Sequence, residues 1–159
     1  MAAPNVVGTA SGNNGGEPGS TDCVVSLPAS VAAGDLLLVC ISVYRGPSAN
    51  TPSGWTRLAT DYSSNVAGYV FAKVATGGEE TVTISLTSAG YASWGVYRYE
   101  GPSLSLAGVE AASANSGGLQ QAGAEAPDLA PSWGSAECSW VWYAASGANN
   151  YNIDTWPSG

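Results

Sequence analysis

The chain has no histidine, only four cations and only three cysteines in 159 residues. Each shortage excludes a class of chemistry. Without histidine there is no Ser-His-Asp or Cys-His nucleophile system of the usual build, and no His-containing zinc site. Cys23, Cys40 and Cys138 are too few for a four-thiolate site and lack CxxC spacing. Each stands in an apolar or alternating run, which marks a small buried core residue. A Cys23–Cys40 bridge would require their two strands to pair. Arg45, Arg57, Lys73 and Arg98 are scattered along a chain of net charge −8. Phosphate binding needs a basic footprint, so nucleic acid is not an expected partner. No apolar run reaches the roughly 18 residues of a membrane span. Met1-Ala2-Ala3-Pro4-Asn5 has neither the basic nor the apolar region of a secretory signal. Synthesis in the cytoplasm, with release by a route such as lysis, is the expectation.

What is present points to strands and turns. The hydrophobic fraction is 45% against 10% charged, with 21 glycines and 9 prolines. Disorder couples low hydrophobicity to high charge, so this chain folds. Its length suits one domain with a real core. Helical periodicity is nearly missing, whereas period-two alternation recurs. Strands are predicted over Asn5 to Ala10, Thr21 to Leu27, Gly34 to Tyr44, from Trp55, Gly68 to Ala75, Thr81 to Thr87, Tyr91 to Tyr99, Leu104 to Ala111 (weaker) and Ala136 to Ala145. Leu36 to Ile41 is apolar on both faces, as a central strand requires. Val25 and Leu27 oppose Val24, and Tyr69, Phe71 and Lys73 oppose Val70, Ala72 and Val74. Asp35 is placed at a turn. Thr76-Gly77-Gly78-Glu79 has the chemistry of a hairpin turn. Ser11 to Ser20 reads as a flexible Gly/Asn/Ser stretch and Ser113 to Gln121 as a small-residue loop.

This pattern predicts an all-β fold, an antiparallel two-sheet β-sandwich of jelly-roll or Ig-like kind. Residues 1–21 would form an N-terminal strand and anchoring arm, and residues 22–159 the sandwich. Two segments echo each other. Leu27-Pro28, a buried strand and Pro52-Ser53-Gly54-Trp55 are matched by Ala130-Pro131, a second strand and Pro157-Ser158-Gly159. The Pro-to-Pro spacings are 24 and 26 residues. A strand start follows the first Pro-Ser-Gly, so one or more strands are expected to continue beyond Gly159.

A glycosidase would need two carboxylates about 5 to 10 Å apart. Glu79 and Glu80 lie in a turn with diverging side chains. Glu100 is two residues from Arg98 and suits an ion pair. Asp22, Asp35 and Asp154 sit at strand or loop edges, where Asp caps turns. No catalytic residue, metal site or cofactor is predicted. Aromatics are the feature suited to binding, since Trp and Tyr stack on sugars and anchor interfaces. Trp55, Trp94 and Trp140 are assigned to the core, and Trp140 and Trp142 share a strand face opposite Val141. The candidate contact residues are Tyr62, Trp133, Asn150, Tyr151, Asn152, Asp154 and Trp156.

The order Leu27-Pro28, Ala33-Gly34-Asp35-Leu36-Leu37-Leu38-Val39, Pro52-Ser53-Gly54-Trp55-Thr56, Lys73-Val74-Ala75-Thr76-Gly77, Thr81-Val82-Thr83-Ile84 and Tyr97-Arg98-Tyr99-Glu100-Gly101 resembles a family. It is similar to a β-sandwich domain that recurs in tailed-bacteriophage and prophage virion proteins and in some bacterial surface proteins. The resemblance spans essentially the whole chain and rests on strand and turn signatures. It implies a virion or cell-surface role and brings no catalytic residues; the leading expectation is a non-enzymatic protein on the virion surface, a head decoration, head fibre or tail-fibre component. The expected partners are capsid or tail subunits and further copies of the chain, as a trimer, which would cover exposed edges and apolar faces. A carbohydrate-binding module for host-surface glycan is the alternative.

Overall fold

The computed structural model describes residues 4–14, 20–44, 47–62, 65–101 and 104–113, and singly Ser132, Ser139, Val141 and Tyr143. Among the described residues there are seven strands: β1 (Asn5–Asn13), β2 (Asp22–Ser26), β3 (Leu36–Tyr44), β4 (Thr56–Tyr62), β5 (Val66–Val74), β6 (Thr81–Ser85) and β7 (Tyr91–Glu100). They form two antiparallel sheets. One has five strands in the order β1-β7-β3-β5-β4, and the other pairs β2 with β6. The protein is thus all-β, with one 3-10 turn, Leu106–Gly108, among the described residues.

Alternation explains the packing. The central strand β3 is buried along eight of its nine residues. Its odd-numbered side chains, Leu37, Val39, Ile41 and Val43, face the second sheet. They join Cys23, Val25, Tyr69, Phe71, Ile84, Trp94 and Val96 in one core shared by the two sheets. Its even-numbered side chains Leu36 and Leu38 face the other way, against Ala72 and Tyr99, and Leu104, Leu106, Val109 and Val141 cover them. Both faces of the large sheet are therefore apolar, as a strand buried on both sides demands.

The pattern on β2 is as expected, with Cys23 and Val25 buried and Val24 outward at 55% exposure. The same holds for β6, where Ile84 is buried and Leu86 follows it inward. Strand β1 runs further than predicted. Ser11, Gly12 and Asn13 continue its pairing with β7, and the Asn14 side chain extends it by bonding Gly90 O and Ala92 N. Asn5–Asn13 is thus laid into the sheet as an edge strand. Gly12 lies flat on the Trp94 indole, where a Cβ would come within 2.8 Å of the ring.

Two expectations are corrected. Thr76-Gly77-Gly78-Glu79 does not close a hairpin. Strand β5 pairs with β3 and β4, whereas β6 pairs with β2, so the turn carries the chain from one sheet to the other. Gly77 and Gly78 have φ of 98° and 78°, which glycine adopts without strain. The turn is held to the Val31–Asp35 loop by Gly34 N–H donating to Ala75 O, Ala75 N–H to Asp35 O and Gly78 N–H to Val31 O. Leu104 to Ala111 forms no strand. Its apolar residues reach the outer face of the sheet through the 3-10 turn instead. The predicted strand Ala136 to Ala145 lies outside the described residues, apart from Ser139, Val141 and Tyr143.

Candidate functional site

Of the seven predicted contact residues, the structure describes Tyr62. It ends β4 with 56% of its surface exposed, and its backbone N–H is held by Asp61 Oδ1 at 2.7 Å. Trp133, Asn150, Tyr151, Asn152, Asp154 and Trp156 lie outside the described residues, as do Trp140 and Trp142. Trp94 is in the shared core and Trp55 packs half-buried against it.

Two of the described charged residues, Asp35 and Arg98, are buried at the margin of the shared core. Arg98 projects inward from β7, beside Leu37 and Gly8, and is 7% exposed. Its Nη1 donates to Ala29 O at 2.6 Å and to Ser30 O, and its Nη2 donates to Glu100 Oε1 at 2.9 Å. Its Nε forms an ion pair with Asp35 Oδ2 at 3.6 Å, and that oxygen accepts a hydrogen bond from Ala32 N–H at 2.8 Å. The buried Arg98 and Asp35 thereby fix the loop between β2 and β3. Ser30 in that loop carries a φ of 61°, unusual for a residue with a side chain.

Lys73 stands on the other side of Leu37 and pairs with Glu79 at 2.9 Å. Desolvation acts to raise the Glu79 carboxyl. Bonds from the Thr76 N–H, Lys73 and the Thr76 hydroxyl outweigh it and hold the group down at about 2. Glu79 is thus a clasp on the turn. Arg57 lies opposite Phe71 and stacks over the Tyr69 and Phe71 rings, 5.3 and 5.6 Å from their centroids, while bonding Ala49 O at 2.7 Å. Asp22 accepts from the Ser85 hydroxyl at 2.9 Å. Among the described residues no group of three or more His, Cys, Asp or Glu could hold a metal ion. No described helix is long and apolar enough to cross a membrane.

The outer face offers a different kind of feature. Tyr97 pairs with Thr9 on β1, and Gly95 pairs with Ser11. Gly95 has no side chain between Cys40 and Ser11, so the surface dips into a groove of about 410 Å³ lined by Thr9, Ser11, Gly95 and Tyr97. Burial pushes the Tyr97 hydroxyl above its ordinary range, as does the nearby Cys40. The groove presents three hydroxyls and one half-buried ring. Sequence reasoning missed it, although a glycine interrupting the Tyr91-Ser93-Gly95-Tyr97-Tyr99 face was its visible signal. The Arg98–Asp35 pair was also missed. Arg98 alternates with Ala92, Trp94 and Val96, which placed it inward.

Cys23 and Cys40 are buried in strands of different sheets and are unbridged. Burial pushes their thiols up to about 11 and about 12. Since the thiolate is the nucleophile, native protein is expected to expose no more than one reactive thiol per chain, and unfolded protein three. Thiol titration with and without denaturant measures this. Two reactive thiols in the native state would contradict the burial.

Comparison of the chain with family models, with curated proteins and with solved structures finds no match.

Proposed function

We propose that the chain is a non-enzymatic structural protein of a tailed-bacteriophage virion, displayed on the particle surface as a head decoration, head fibre or tail-fibre component. Its two sheets would form a β-sandwich of jelly-roll or Ig-like kind, docked on capsid or tail subunits. The observation that carries this reading is the use made of charge. Arg57, Lys73 and Arg98 all turn toward the inner face of the large sheet or its rim, where they close the core. A surface of Ser, Thr, Gly and Tyr remains on β1 and β7, suited to contact by shape and burial. The ordered run of strand and turn signatures from Leu27 to Gly101 adds the family resemblance.

The test is imaging of purified particles by cryo-electron microscopy, with and without the gene. Loss of density on the head lattice or at the fibres is the expected result. An unchanged particle would overturn the virion reading. The Thr9, Ser11, Gly95 and Tyr97 groove favours one second reading, a carbohydrate-binding module. Tyr could stack on a sugar ring there while the hydroxyls bond to it. Glycan-array binding that Tyr97→Ala abolishes would establish that alternative.

A further inference from the structure

We propose that the outer edge of β1 pairs antiparallel with β1 of a second copy, joining two five-stranded sheets into one continuous sheet. The inference concerns the edge alone and holds for either reading of function. Edge strands present a row of backbone N–H and C=O groups, and proteins guard them with charge, proline, bulges or short length. The edges of this protein differ in that respect. β4 carries Arg57 and Asp61 and a register shift between Arg57 and Ala59. The β6 edge is covered, since Ala49 bridges to Leu86, Asn50 N–H donates to Ser85 O and Thr87 N–H to Ser48 O. β2 is five residues long and begins with Asp22.

β1 is nine residues long and contains no charge and no proline. Its irregularity falls between Val6 and Gly8, and from there to Asn13 its register with β7 is unbroken. From Gly8 to Gly12 no described strand pairs with its outer edge.

Two further observations select a second copy as the occupant. The chain carries a net −8, so two copies repel wherever their acidic surfaces meet. The β1 edge is a long stretch where they can approach without placing carboxylates opposite each other. Among the described residues, three of the four exposed large hydrophobics, Val6, Val7 and Val24, lie on β1 and the neighbouring β2. Antiparallel pairing of one strand with itself is closed by a two-fold axis. The edge therefore specifies a pair, where the sequence led to the expectation of a trimer.

Sedimentation velocity on the full chain tests this. The expected mass is twice the 15.9 kDa of one chain. Thr9→Glu combined with Ser11→Glu, both at exposed positions, should return it to a single chain. The matching change on the opposite edge, Thr56→Glu, should leave the pair intact. Circular dichroism checks that each variant folds. If the double variant does not fold, hydrogen exchange on the unaltered chain decides: between Gly8 and Gly12, the alternate amides that point away from β7 should gain protection as concentration rises. A single-chain mass at all concentrations, a trimer, or a pair indifferent to the double variant would each overturn the proposal.

Discussion

Arg98→Ala is expected to cost about 3–5 kcal/mol of folding stability, the loss typical of removing one partner from a buried ion pair. Three debts appear at once in the variant. Asp35 stays buried at 5% exposure without its cation, and the carbonyls of Ala29 and Ser30 lose their donor. The loop holding Ser30 at positive φ also loses its anchor. Glu100, half exposed, is the cheapest loss, because water replaces its partner. Arg98→Lys should recover only part of the stability. One ammonium cannot reach two loop carbonyls and two carboxylates from a single position, as the planar guanidinium does. Urea unfolding measures both variants. A change within about 0.5 kcal/mol for Arg98→Ala would place it with ordinary surface substitutions, and the clamp would be no clamp.

Why the sequence disclosed some of this and not the rest follows from the range of each interaction. Alternation is local, so the inward residues of β2, β3, β6 and β7 were legible directly. Arg98 stood in that alternation too, but its acceptors lie nearly seventy residues away at Ala29 and Ser30. Nothing near Arg98 announces them. The Gly77-Gly78 turn misled for the same reason. Its local chemistry suits a hairpin, and what sends it to the other sheet is bonding to Val31, Gly34 and Asp35, more than forty residues earlier. Leu104 to Val109 was ambiguous in itself. Leu104, Leu106 and Val109 reach the outer core at spacings of two and three, which a 3-10 turn satisfies as well as a strand. Among the candidate contacts, Tyr62 is exposed at the end of β4. The Tyr97 groove escaped because it is made by a missing side chain at Gly95, and a search for aromatics overlooks a gap between them.

Phe71→Ala should also cost about 3–5 kcal/mol, as a large ring removed from a close-packed core leaves a cavity that neighbours fill only in part. Phe71 is wholly buried and lies parallel to Tyr69, with ring centroids 6.0 Å apart. It belongs to the core that also holds Cys23, Val25 and Ile84 of the two-stranded sheet. A two-stranded sheet has little stability alone, so β2 and β6 persist because this core binds them to the larger sheet. The loss should therefore lower the melting temperature by roughly 10 °C in a single transition, with Trp fluorescence and far-ultraviolet dichroism changing together. Part of the loss belongs to Arg57, whose guanidinium rests on the same rings. Arg57→Ala alone should cost about 1 kcal/mol, the sum of a weak cation–π contact and one hydrogen bond to Ala49. A second transition in Phe71→Ala, with β2 and β6 released first, would mean that the two sheets are separately stable and that the shared core is not what unites them.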